Sequence, residues 1–217
     1  MKPYVTKNYH KYKREKMKEN NFFESVYKNV GKDRLEDIPW ATLSANVYLL
    51  EYLATQEKVE GKRALVIGCG LGDDALALEA QGYTVDAMDI SPTAIELAKE
   101  RHPTSKTNFY VGDIYAMPKA SYEAYDFVYE GLTVQSLPRE DREKLIAIIT
   151  GLVAYGGTLL VYAHAQNDKE NYGGPPWPLY AREFTLFEQK GLHKVSEVKE
   201  AEAKAIAPSK SCVVYKK

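Results

Sequence analysis

The stretch Ala64-Leu-Val-Ile-Gly-Cys-Gly-Leu-Gly-Asp-Asp74 decides the fold of this chain: an apolar run breaks into three alternating glycines and then two carboxylates. A short apolar run bounded by turn residues reads as a buried strand, and the glycines permit a tight turn in which a ligand approaches bare backbone. The two acids mark the first turn of a helix, where the helix dipole favours negative charge. A second apolar run, residues 83–89, closes on Asp89, an acid at a strand end where it can hold the hydroxyls of a ribose. Strand, glycine turn, helix and acid-terminated strand together describe a nucleotide-type cofactor site.

The spacing of the glycines narrows the cofactor. A dinucleotide fingerprint needs G-x-G-x-x-G, whose third glycine leaves a helix N-terminus open to pyrophosphate. Here Gly68, Gly70 and Gly72 alternate, and Asp73 stands where the dinucleotide pattern wants glycine. A carboxylate pair repels a diphosphate and suits a cation. S-adenosylmethionine (SAM) has no phosphate and carries an ammonium and a sulfonium. Asp74 reads as a first-turn acid, whereas Asp73 reads equally as that or as a cofactor contact.

Outward from this centre, strands and helices alternate. Residues 42–58 repeat Leu43, Val47, Leu50, Leu53 and Ala54 at helical spacing, which predicts an amphipathic helix covering the first strand. Residues 73–81 form the helix after the glycine turn, with Gly82 as its stop. Ser91-Pro92 supplies a cap and a first-turn proline for a helix over 92–101. Strands follow at 108–112, 125–130 and 158–163, the last after a turn at Gly156-Gly157, and a long helix opens at Pro138. A helix over 179–190 then leads to strand-like runs at 193–198 and 211–216, too close for a parallel crossover and therefore antiparallel. The expected architecture is α/β: a Rossmann-like, doubly wound sheet of seven strands, mostly parallel with the last antiparallel.

Composition excludes several classes of function. The 217 residues, 45% hydrophobic, suit one domain over 1–217. Within it, residues 1–37 form an N-terminal arm or lid, 61–165 the cofactor-binding core, and 166–217 a substrate loop and the C-terminal strands. The 29 Lys and Arg nearly balance 30 Asp and Glu, so no global field recruits nucleic acid or a membrane. The lysine-rich start carries Tyr4, Tyr9 and Tyr12 but lacks the apolar core of a signal peptide. Cys69 and Cys212 offer neither a disulfide framework nor metal-ligand spacing, and no metal is expected at the four histidines. A cytoplasmic protein, monomer or homodimer, with a small-molecule substrate is the expectation.

The ordered set Gly68-x-Gly70-x-Gly72, Asp89, Gly112-Asp113-Ile114 and Tyr125-Asp126 to Gly131 closely resembles the class I SAM-dependent methyltransferases over about residues 61–165. By that resemblance the three glycines pass under the methionine portion, and Asp89, with Ile90 beside it, takes the ribose. Asp113 and Ile114 hold the adenine, and Glu130 and Gly131 border the transferred methyl. Ile38-Pro39-Trp40 and Gly173-Gly174-Pro175-Pro176-Trp177-Pro178 resemble the thiopurine and thiol/halide methyltransferase branch, in which the first segment lies over the cofactor and the proline loop borders the acceptor. Ala41 departs from the acid that usually follows Pro-Trp in that branch, and Trp177 from its usual tyrosine. Gly174-Pro-Pro-Trp177 is also similar to the signature of amino-methylating nucleic-acid enzymes, but glycine offers no hydrogen-bond acceptor and the segment does not follow strand four.

Transfer of a methyl from a sulfonium to an anionic thiolate, selenide or halide destroys charge, so a dry apolar pocket speeds it and no strong base is needed. Trp40, Tyr129, Tyr172 and Trp177 are the candidate walls, their faces favouring a sulfonium by cation–π attraction. His164 and Glu130 are the candidate bases for a neutral acceptor, and Arg182 the candidate partner of an acceptor carboxylate. The expected function is therefore a SAM-dependent methyltransferase acting on a thiol or another soft anion. Its alternatives are an N- or O-methyltransferase using His164 or Glu130, or a non-catalytic SAM-binding sensor.

Overall fold

The computed structural model of the protein describes residues 22–166, 176–200 and 209–217. The elements run α1 (Phe22–Val30), α2 (Val47–Ala54), β1 (Arg63–Ile67), α3 (Asp73–Gln81), β2 (Thr84–Asp89), α4 (Pro92–Arg101), β3 (Asn108–Val111), β4 (Tyr125–Gly131) and α5 (Thr133–Ser136). They continue with α6 (Arg142–Leu152), β5 (Val153–Gln166), β6 (Leu179–Tyr180), α7 (Ala181–Gln189), β7 (His193–Lys199) and β8 (Ser209–Lys216). One sheet in the order β3-β2-β1-β4-β5-β8-β7 joins the strands, with β6 pairing only β5. β1 to β5 are parallel, and β8 runs antiparallel to both β5 and β7. The doubly wound sheet with a reversed last strand is thus observed, with two-residue β6 added to the seven strands expected.

The core lies on both faces, as a parallel sheet requires. Leu65, Ile67, Val128, Leu159 and Val161 face α6 and α7, while Val66, Val85, Phe127 and Leu160 face α2, α3 and α4. Alternation along each strand sends successive residues to opposite layers. No described helix is long and apolar enough to cross a membrane.

Three sequence expectations are corrected. The helix expected over 42–58 is only Val47–Ala54, because the Asn46 side chain accepts from the backbone N–H groups of Tyr48 and Leu49 and starts it late. The turn at Gly156-Gly157 is a bulge inside β5, where pairing jumps from Tyr125↔Val153 to Phe127↔Thr158. The helix expected over 179–190 begins at Ala181, because Leu179 and Tyr180 pair with Ala165 and Gln166. Within the segment 1–37 the structure places α1, a helix with Phe22, Glu24 and Tyr27 buried.

Candidate cofactor and acceptor site

The strand order reverses between β1 and β4, and a cavity of about 290 Å³ opens at the carboxyl ends there. That is where open α/β sheets bind ligands. Gly68, Gly70 and Gly72 all have positive φ, at 65°, 52° and 89°. A Cβ at Gly68 would overlap Thr133 Oγ1, and one at Gly70 would lie 2.9 Å from the Tyr27 hydroxyl. Bare backbone is therefore required on two counts, conformation and space.

Asp89 is 7% exposed and lines the cavity. Its Oδ2 accepts from Gly70 N and its Oδ1 from Ser91 N, each at 2.9 Å. Burial nonetheless pushes its carboxyl up. The Ile90 N–H also bonds this carboxyl, and one lone pair is left for a hydroxyl. Asp113, Ile114 and Ile90 also line the wall, with Asp113 Oδ1 accepting from Tyr115 N at 2.9 Å.

The paired acids after the glycines have opposite fates. Asp73 makes a two-pronged ion pair with Arg101, at 2.7 and 2.9 Å, while Arg101 also donates to Leu71 O at 2.9 Å. That clamp braces the glycine turn and neutralises Asp73. Asp74 lines the same cavity without a cationic partner in hydrogen-bond contact: its Oδ1 accepts from Asn46 N at 2.7 Å, and the Tyr129 hydroxyl bonds to its carboxyl. Burial pushes it up to about 6. In the sequence Asp74 reads as a helix-start acid; only the packing of Asn46 and Tyr129 distinguishes it from its neighbour.

Helix α1 closes the opposite wall. Glu24 accepts from Ser91 Oγ at 2.6 Å, Thr93 Oγ1 at 2.8 Å and Thr93 N at 3.1 Å, docking α1 on the start of α4. Although burial opposes ionisation, these donors hold its carboxyl down at about 2. Phe22, Phe23 and Tyr27 then face the cavity beside Trp40, whose Nε1 donates to the Tyr27 hydroxyl at 2.9 Å. Among the described lining residues the charged groups are Asp73, Asp74, Asp89 and Asp113, and none is basic. With Asp73 answered by Arg101, three carboxylates and an aromatic cluster remain. This donor set fits SAM, a cation without phosphate, and opposes a dinucleotide.

Tyr129 and Gly131, at the end of β4, line the cavity with Leu132, Thr133, Ser136, Leu137 and Tyr162. Glu130, His164, Trp177 and Arg182 are not among the lining residues. Glu130 is fully buried, its Oε1 accepts from Val134 N at 2.7 Å, and burial pushes it up to about 7. It caps α5 from below. His164 is bound to Gln135, and burial lowers its pKa. The Trp177 backbone N–H donates to Gln135 O at 2.7 Å, and its carbonyl accepts from the Arg142 guanidinium. Arg182 lies exposed on α7, its guanidinium 4.2 Å from the Tyr180 ring centre. Tyr172 lies outside the described residues. Among the described residues no cluster of His, Cys, Asp and Glu could hold a metal.

Comparison with known proteins agrees with this geometry. The sequence model of the thiopurine S-methyltransferase family matches residues 32–213. A thiopurine S-methyltransferase of Legionella pneumophila (strain Corby) is 27% identical over 160 residues, covering 67% of this chain and 72% of its own. A 2-heptyl-1-hydroxyquinolin-4(1H)-one methyltransferase of Mycobacteroides abscessus is 33% identical over 150 residues, 65% of this chain and 63% of its own. In fold, the chain superposes on a TehB-like SAM-dependent methyltransferase from Corynebacterium glutamicum with a TM-score of 0.62 at 18% identity, over 93% of this chain and 99% of that one.

Proposed function

Because this chain belongs to the thiopurine S-methyltransferase family and is a class I SAM-dependent methyltransferase, we propose that it methylates the ionised sulfur of a small aromatic thiol. SAM supplies an electrophilic methyl group on a sulfonium. We assign Gly68, Gly70 and Gly72 to the methionine portion, Asp74 to its ammonium, Asp89 with Ile90 to the ribose, and Asp113 with Ile114 to the adenine. Trp40 and the α1 aromatics cover the bound cofactor, their ring faces attracting its positive charge.

One observation carries the acceptor: among the described residues the wall around Gly131 holds Tyr129, Tyr162, Leu132 and Leu137 but no lysine, arginine or histidine. No described side chain there grips an acceptor phosphate or carboxylate, and neither Glu130 nor His164 stands ready to remove a proton. The acceptor must therefore ionise on its own, and an aromatic thiol does so near neutral pH. Poorly solvating walls then favour a reaction in which opposite charges cancel. A second reading is the methylation of an acidic hydroxyl on a heteroaromatic ring, supported by the substrate in the name of the M. abscessus relative. That acceptor, too, brings its own anion.

Calorimetry with SAM and its demethylated product tests the cofactor assignment. An acceptor panel of thiophenol, iodide, an N-hydroxyquinolone, aniline and benzoate then tests the chemistry by product release. Turnover of thiophenol well above the rest is expected. Faster turnover of aniline or benzoate refutes the proposal, and binding without any turnover favours a sensor.

A further inference from the structure

At the end of β5 a polar junction follows the cavity-lining Tyr162 and lies outside the cofactor assignment. Tyr162, His164 and Gln166 share one face of β5 by two-residue alternation, and Tyr162 lines the cavity. The His164 backbone N–H donates to Gln135 Oε1 at 2.6 Å, and Gln135 Nε2 lies 3.2 Å from His164 Nδ1. A backbone N–H has only a proton to give, so the amide oxygen must face it and the amide NH2 must face the ring. The NH2 cannot accept. Nδ1 is therefore the acceptor, and the proton of the neutral imidazole resides on Nε2.

The arrangement is held firmly. Gln135 is 2% exposed, and its own carbonyl accepts from Trp177 N at 2.7 Å. Burial and the Lys210 ammonium, opposite His164 on β8, both disfavour an imidazolium, while Glu200, after β7, opposes them. Lys210 and Glu200 pair with each other at 3.4 Å. Two residues beyond His164, Gln166 is 6% exposed, and neither of its amide atoms has a partner among the described residues.

We propose that Gln135 is a positioning residue that holds His164 as a hydrogen-bond donor: His164 and Gln166 stand outside the cavity lining, two and four residues beyond Tyr162 on the same face of β5, where Nε2–H and the Gln166 amide meet an anionic heteroaromatic acceptor that extends past Tyr162. His164 then does not serve as a base, since its one lone pair is committed to Gln135. This inference rests on the ionised-acceptor reading above and deepens it.

The imidazole assignment is tested by long-range ¹⁵N–¹H correlation on the full chain with the demethylated cofactor product bound, His164 being identified by its loss in His164→Asn. The expected result is Nε2 protonated and Nδ1 bare across the neutral range; a protonated Nδ1 overturns the proposal. With thiophenol as acceptor, Gln135→Glu keeps the size of the side chain but presents only oxygens. It draws the proton to Nδ1, raises KM for thiophenol at least about tenfold, and introduces a new ionisation into the pH profile while cofactor affinity stays unchanged. A Gln135→Glu profile coincident with the wild type overturns the positioning role. The tautomer is read without turnover, so failure of thiophenol as an acceptor refutes the thiol reading separately and leaves the imidazole measurement to decide this one.

Discussion

Replacing Glu24 with alanine tests whether α1 is a working wall of the cofactor cavity. The side chain is 8% exposed and accepts three hydrogen bonds from Ser91 and Thr93 on α4, at 2.6, 2.8 and 3.1 Å. The Lys28 contact at 3.0 Å lies on an exposed cation and contributes little. Hydrogen bonds to a charged group are worth about 1.5–3 kcal/mol each, but three sharing one carboxylate act as a unit, so about 3 kcal/mol is the reasonable total. Tyr27 still packs on Ile38, Leu71, Ala94 and Leu97, which retains part of the docking. Weakening of SAM binding by roughly ten- to a hundredfold follows, at 1.4 kcal/mol per decade. Calorimetry reads the affinity, and hydrogen exchange across residues 22–30 reads the docking. The pH dependence has a definite sign. The native carboxyl sits at about 2 against 4.5 in the unfolded chain, so its stabilisation is complete above about pH 4.5 and is lost as pH falls toward 2. Glu24→Ala removes that acid-side loss. SAM affinity within twofold of wild type, with exchange unchanged over 22–30, refutes the reasoning.

Three further outcomes are expected. Gly68→Ala forces a side chain into positive φ and onto Thr133 Oγ1, so SAM binding should vanish in calorimetry and melting should fall by several degrees. Asp74→Asn should act in opposite directions on stability and binding. Burial raises the native carboxyl to about 6 from 3.8, so ionised Asp74 costs stability increasingly as pH rises from 3.8 through 6; the variant should stabilise the ligand-free protein by about 3 kcal/mol at pH 8 while weakening SAM, as thermal melts with and without cofactor will show. Glu183→Ala strands Arg142, whose guanidinium it meets at 2.6 Å, and also releases Arg139 and Tyr180 N. A loss of about 3–5 kcal/mol in denaturant unfolding is expected from uncovering a buried cation.

Much of the fold is legible because its signals are local. Strand runs, the glycine turn, Ser91-Pro92 and the reversed C-terminal pair all act within a few residues, and the structure keeps them. α1 carries a signal too: Phe22, Val26 and Val30 recur every four residues, beside Phe23 and Tyr27. The limits of α2 were harder to read, since the pattern over 42–58 shows no stop at Asn46 until that side chain is seen bonding Tyr48 and Leu49. Asp73 and Asp74 mark the boundary of what a sequence reveals about a site. Adjacent on a helix, they point about 100° apart, one to Arg101 and the other to Asn46 and Tyr129.

The sequence by itself determined the parallel sheet, the glycine turn at its switch point and a carboxylate-lined place for a cationic cofactor, because apolar period and the need for glycine at positive φ are properties of short segments. The tertiary structure alone decided which carboxylate is neutralised, that Glu130 caps a helix, that Glu24 docks α1, and that Gln135 sets the proton on His164. Each of these depends on partners brought together from distant parts of the chain, such as Glu24 and Ser91 across 67 positions. An ionisable group's charge and direction belong to its surroundings, and only folding supplies those.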